Sequence, residues 1–137
     1  MIMKYELTKD LMSGNSTIDR EHRELFDAVN RLFDACSAGK GRAELEPTAK
    51  FLLDYVDRHF AHEEELQKKS GYPEYSSHRL FHEGYKKKLR EIAAQISAHG
   101  SNIADLGVLN AHIGVLVSHI RLEDKKLGGF LIEKGIR

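Results

Sequence analysis

The chain has 137 residues, enough for one domain with its own core, and its 41% hydrophobic and 31% charged composition excludes the disordered and fibrous classes. Lys plus Arg and Asp plus Glu each total 21, so the formal net charge is zero and nothing favours nucleic acid as a partner. The single cysteine, Cys36, cannot close an internal disulfide, no apolar run approaches the length of a membrane span, and the opening MIMKYELTKD lacks the apolar segment of a secretory signal. A cytoplasmic protein without a membrane partner is expected.

Residues 1–16 read as an irregular arm in which Tyr5, Leu7, Leu11 and Met12 can pack. Ser13-Gly14-Asn15-Ser16 marks a turn, and Ser16 with Asp19 resembles a capping pair. A first helix over about 17–38 follows from the spacing of Ile18, His22, Leu25, Val29 and Leu32. It should stop near Ser37-Ala38-Gly39. A second helix, about 43–69, carries Leu52, Val56, His59, Glu63 and Leu66 at alternating steps of four and three, the seam of a bundle. Its start lies between Arg42 and Thr48, since Pro47 is tolerated in a first turn but would kink a helix that began earlier.

Ser70-Gly71-Tyr72-Pro73 supplies a stop and a restart. The third helix, about 73–98, has the stripe His78, His82, Tyr85, Leu89, Ile92 and Ile96, with Lys86-Lys87-Lys88 and Arg90 mostly on a solvated opposite side. Gly100-Ser101-Asn102 forms the next turn, with Ser101 or Asn102 as cap. The fourth helix, about 103–127, carries Leu109, His112, Leu116, His119 and Glu123. Gly128-Gly129 should break it and leave Phe130-Leu131-Ile132 in a short tail. No strand-like alternation competes. The expected fold is all-α: one domain over 1–137, an antiparallel up-down-up-down four-helix bundle with an N-terminal arm and a short C-terminal tail.

Metal-ligand side chains fall on the inward stripe of every helix: His22; His59 with Glu63; His78 with His82; and His119 followed by Glu123 and Asp124. One buried histidine is ordinarily a core residue with a hydrogen bond. Five, with interior carboxylates, would each cost about 1–3 kcal/mol if unpaired, against a total stability of about 5–15 kcal/mol. A shared metal cluster satisfies them together. Imidazoles and carboxylates without thiolates suit iron, manganese or zinc, and the donors outnumber what one tetrahedral zinc needs. Two carboxylate-bridged ions fit the inventory. His62 and His99 should be solvated, and His112 should be a core residue with one hydrogen bond.

In this order and spacing the chain resembles the hemerythrin family. The residues that carry the resemblance are His22 in IDREH, His59 and Glu63 in HFAHE, His78 and His82 in HRLFH, and His119 to Asp124 in HIRLED, with Gly14-Asn15 and Tyr72-Pro73 at the shoulders. The likeness covers nearly the whole chain and is greatest to the stand-alone bacterial members. It implies two non-haem irons with an oxo or hydroxo bridge. One iron is held by His78, His82 and His119 and the other by His22 and His59, and both are bridged by Glu63 and Asp124. The implied function is reversible dioxygen binding for storage, delivery or scavenging, at an open position on the two-histidine iron. The alternatives are a di-iron oxidase or peroxidase, a nitric-oxide-handling enzyme, or an oxygen or iron sensor. Peroxide and nitric oxide are the alternative ligands. A carrier is favoured over an enzyme because the Glu-x-x-His pairs of di-iron oxidases are absent. Leu25, Phe60, Val117 and Ile120, next to the implied ligands, should wall the oxygen pocket. A monomer or weak homo-oligomer is expected.

Spacing and resemblance disagree at one point. Glu123 lies four residues after His119, on the same face, whereas Asp124 lies five after it, about 140° round an ideal helix. The resemblance selects Asp124, and its use requires a local widening of the fourth helix, such as a π-type bulge, or a distorted turn near the ligands. Absence of Trp, Val115 where that helix often has one, and Gln67 where a Met is common leave the metal set intact but alter the pocket.

Overall fold

A computed structural model of the chain describes residues 5–99 and 102–137. Helices α1 (Ser16–Ser37), α2 (Gly41–Ser70) and α3 (Tyr75–His99) are followed by a longer rod made of α4 (Ile103–His119), a π-helical turn (Ile120–Asp124) and α5 (Lys125–Glu133). Among the described residues there is no strand. Cross-helix pairs run in opposite senses along neighbouring rods, as in Glu24 with Arg58 and Glu21 with His59, or Tyr85 with His112 and His78 with His119. The architecture is the antiparallel four-helix bundle that the four apolar stripes predict.

The helix ends follow local chemistry. Asn15, with extended backbone, caps α1 by accepting from the Ile18 amide at 3.0 Å. Asp19 does not pair with Ser16 as the sequence suggests. It accepts from the Ser13 amide and hydroxyl, both at 2.8 Å, and from the Gly14 amide at 3.1 Å, tying the arm to the helix. Gly71 ends α2 in the left-handed region (φ 73°), and the Tyr72 amide reaches back to the Gln67 carbonyl at 2.9 Å. Asn102 caps α4 through the Asp105 amide, while Gly100 and Ser101 lie outside the described residues.

Three expectations change. α2 begins at Gly41, so Pro47 sits inside the helix and the Ala43 carbonyl forgoes its usual donor. The Gly128-Gly129 pair does not break the fourth rod, which continues to Glu133. Gly128 serves a different purpose: a Cβ there would lie 2.0 Å from the Ser13 carbonyl oxygen, so the missing side chain is what lets the arm cross the rod. An 18-residue window within the Ile103–Glu133 rod also meets the length and composition of a membrane span, contrary to the sequence expectation, with a mean hydropathy of 1.5 and 44% of that window buried in the bundle. Its buried side supplies Leu109, Ile113 and Leu116 to the bundle interior.

Two apolar clusters bracket a polar layer. The larger includes Leu25, Val29, Leu52, Val56, Phe60, Leu89, Ile96 and Leu116, with Tyr5, Leu7 and the half-buried Cys36 packed on it. The smaller joins Ile18, Tyr72, Leu127 and Leu131. Burying this apolar area holds the rods together at roughly 25 cal/mol per Å² removed from water. Between the clusters lie most of the buried charged groups.

Candidate metal centre

His22, His59, Glu63, His78, His82, His119 and Asp124 meet in that polar layer, each at most 6% exposed. Steps of four place His59 over Glu63 on α2 and His78 over His82 on α3, so each helix delivers two side chains at one level. α1 contributes His22. The fourth rod contributes His119 and, five residues on, Asp124. The π-helical turn over Ile120–Asp124 is what makes this possible: the widened turn swings Asp124 inward to 1% exposure and leaves Glu123 in solvent.

Two overlapping donor groups result. Glu63, His78, His82, His119 and Asp124 offer atoms within 4.8 Å of one another, and so do His22, His59, Glu63 and Asp124. The two carboxylates belong to both. Glu63 lies 3.2 Å from His82 Nε2 through Oε1 and 3.3 Å from His59 Nε2 through Oε2. Asp124 lies 3.2 Å from His119 Nε2 through Oδ1 and 3.0 Å from His22 Nε2 through Oδ2. Each carboxylate therefore turns one oxygen to each group.

The donor set fits a pair of ions. His59 Nε2, His82 Nε2, both Glu63 oxygens and Asp124 Oδ1 are buried without a hydrogen-bond partner among the described residues, a cost of about 1–3 kcal/mol each if nothing filled the space between them. His78 Nε2 and His119 Nε2 stand 3.0 Å apart. Two nitrogens at right angles on one ion, each about 2.1 Å from it, would be separated by about 3.0 Å. Without an ion, burial opposes charge on His59, Glu63, His78 and Asp124, yet their charged neighbours outweigh it. Burial presses His59 down, but Glu63 and Glu21 raise its pKa to about 10; burial likewise opposes His78, which Asp124 and Glu63 raise to about 10. Burial pushes Asp124 up, and the imidazoles of His119, His22 and His78 beside it more than reverse it, so it stays ionised. The same balance keeps Glu63 ionised, with burial and Asp124 opposed by His59 and His78.

Around the seven, a supporting ring fixes the imidazoles. Glu21, 1% exposed, accepts from His59 Nδ1 at 2.7 Å and from His62 Nδ1 at 2.5 Å, with Arg58 at 3.8 Å. Glu64 accepts from His82 Nδ1 at 2.9 Å. Phe60 stacks on His82 with ring centroids 3.8 Å apart, and Phe81 on His119 at 3.9 Å. Tyr55 donates to the Glu21 carbonyl at 2.7 Å. Glu21 and Tyr55 have no distinguishing mark in the sequence. The one available signal is that Glu21 falls one residue before His22 and Glu64 one after Glu63.

Of the three outlying histidines, His99 is exposed and His62 is 45% exposed, although its ring is held by Glu21. His112 is a core residue: its Nε2–H donates to the Tyr85 carbonyl at 3.1 Å, and the Tyr85 hydroxyl donates back to the His112 carbonyl at 2.9 Å. Leu25, Phe60, Val117 and Ile120 are all buried in the larger cluster bordering this layer. Gln67, one turn beyond Glu63, is fully buried with neither amide atom partnered among the described residues.

The comparisons with known proteins agree with this geometry. The family model described as the hemerythrin HHE cation binding domain matches residues 13–131. A bacteriohemerythrin of Pseudomonas aeruginosa (strain LESB58) is 32% identical over 117 residues, covering 84% of this chain and 73% of its own. A myohemerythrin of Theromyzon tessulatum is 29% identical over 116 residues, covering 83% and 82%. A crystal structure of wild-type hemerythrin superposes with a TM-score of 0.76 at 26% identity, covering 96% of this chain and 98% of that one. With the bundle, the paired donor groups and the matched sequence in agreement, the chain belongs to the hemerythrin family.

Proposed function

We propose that this chain binds dioxygen reversibly at a non-haem di-iron centre held by His22, His59, Glu63, His78, His82, His119 and Asp124. The observation that carries the reading is the inequality of the two donor groups: five side chains converge on one side, four on the other, and Glu63 and Asp124 are common to both. In octahedral surroundings, one shared solvent ligand would complete the five-donor ion and leave a single position free beside His22 and His59. When bound, the iron pair supplies the electrons and the vacant position that dioxygen needs.

The protein's own contribution is orientation and exclusion. Glu21 fixes His59 in the tautomer that turns Nε2 inward, and Glu64 does the same for His82. Leu25, Phe60, Val117 and Ile120 wall the open side, keeping water and protons away and slowing loss of the ligand in an oxidised form. The unpaired Cys36 supports a cytoplasmic role in storage, delivery or scavenging.

The test is the visible spectrum of the iron-loaded, reduced protein, first in air and then after oxygen is removed. A charge-transfer band that appears and disappears over repeated cycles is expected. Irreversible conversion, with turnover of added reductant, would transfer the protein to the oxidase class. Stoichiometric zinc in place of iron, with no band, would end the proposal.

A further inference from the structure

The outward faces of α1, α2 and α3 carry charged residues, as solvated helices do. α4 departs from that pattern. Between Ile103 and Ile120 its exposed positions include no Lys, Arg, Asp or Glu, and Val108, Val115 and Leu122 are 43%, 48% and 65% exposed. The exposed residues also have a period: Ala104, Val108, Ala111, Val115, Ser118 and Leu122 follow in steps of four and three, the spacing of a helix–helix seam. Small and large side chains alternate along it. Beside the seam, a groove of about 520 Å³ is floored by Phe81 and His119 and ends at Glu123. It joins, through Ala111 and Val115, a second hollow of about 270 Å³ that ends at Lys88.

We propose that this face is where two copies of the chain assemble, α4 of one copy lying antiparallel in the α3–α4 groove of the other. An antiparallel pairing centred near Ile113 sets Ala104 opposite Leu122, Val108 opposite Ser118 and Ala111 opposite Val115, so every large residue meets a small one and the backbones approach closely. The same two-fold exchanges the groove ends, bringing the Glu123 end of one copy toward the Lys88 end of its mate. A seam from Ala104 to Leu122 is about 27 Å long and, with α3 alongside, covers on the order of 500 Å² per copy. That area lies below the standard range for specific dimers, so a weak dimer that forms only at high protein concentration is expected. A membrane is the poorer occupant. The charged residues lining the two hollows are Lys88 and Glu123, one of each sign, not the cluster of Lys and Arg that anionic lipid selects.

Equilibrium sedimentation of the iron-loaded protein tests the arrangement and its register together. The wild type should pass from monomer to dimer mass between about 10 µM and 1 mM. Ala111→Glu and Val115→Lys should each stay monomeric, because each places unpaired charges in the seam, while an equimolar mixture should recover dimer mass, because one Glu then meets one Lys. The milder Val115→Ala, which only opens a gap, should weaken the wild-type dimer by about tenfold. Circular dichroism and iron content of every variant should match the wild type. A wild type monomeric at 1 mM, a dimer that survives Ala111→Glu, a mixture that fails to reassociate, or monomers that instead partition onto phosphatidylcholine–phosphatidylglycerol vesicles would each overturn the proposal.

Discussion

Asp124 and Glu123 are neighbours of the same chemistry, and only backbone geometry separates their fates. The π-helical turn puts one carboxylate in the buried layer and the other in water. Asp124→Ala should therefore reduce iron from two ions per chain to one or none, while Glu123→Ala should retain two, as read by iron titration. A full complement in the Asp124 variant would contradict the ligand set proposed above. Glu21 makes a second case at this scale. Its carboxylate is the acceptor that orients His59, so Glu21→Ala should weaken iron binding by about 10–100-fold, the usual effect of removing an outer hydrogen-bond partner. Glu21→Gln keeps an acceptor and should lose less. Chelator competition measures both, and unchanged affinity in the alanine variant would remove Glu21 from the site.

The fourth rod shows how one element serves several demands. Its inner face brings His119 to the buried polar layer, its π turn turns Asp124 into the same layer, and its C-terminal part makes room for the arm at Gly128. The two adjacent glycines should respond in opposite directions. Gly128→Ala drives a Cβ into the Ser13 carbonyl and should destabilise by about 1–3 kcal/mol. A Cβ at Gly129 meets nothing within 4 Å, so Gly129→Ala should stabilise by about 0.5–1 kcal/mol through helix propensity. Thermal melts of the two variants give the comparison, and equal shifts would contradict the close crossing. Reciprocal hydrogen bonds between Tyr85 and His112, whose rings stack 3.8 Å apart, lock α3 to α4 at the next level of the bundle.

At the scale of the whole molecule, the metal layer couples folding to pH. Without iron, His59 and His78 carry folded-state pKa values raised from 6.5 to about 10. Their contribution to stability is fully present below about pH 6.5 and is lost as pH rises through about 10. Glu63 and Asp124 have depressed values, so theirs is present above about pH 4.5 and is lost as pH falls into the acid range. The metal-free protein should melt highest between about pH 4.5 and 6.5, and a flat profile from pH 6 to 10 would contradict the charge pairing. Loading at pH 7 must expel the protons of His59 and His78. Calorimetry in buffers of different ionisation enthalpy should register at least two protons released per two ions, with a further one where the shared solvent ligand binds as hydroxide, and iron should raise the melting temperature because it binds the folded state.

Much of this was legible in one dimension. Apolar spacing of 3.6 gave four rods, steps of four gave His59 with Glu63 and His78 with His82, and short turns made neighbours antiparallel. His22 and His119 could be assigned because each falls on its helix's apolar stripe. These are properties that a residue's own neighbours along the chain settle. The remainder depended on groups far apart in sequence. Glu21 is an unremarkable helix-surface residue until α2 places His59 against it, Gly128 reads as a helix breaker until the arm crosses it, and Asp19 reads as a cap until Ser13 turns back to meet it. The π turn divides between the two: the five-residue step from His119 to Asp124 already asks for a widened turn, while the three histidines that hold Asp124 inward, from three different rods, are brought to it only by packing. Periodicity is written locally because a helix forms from contacts four residues apart. A buried carboxylate's partners are chosen by packing, which exists only once the rods have met.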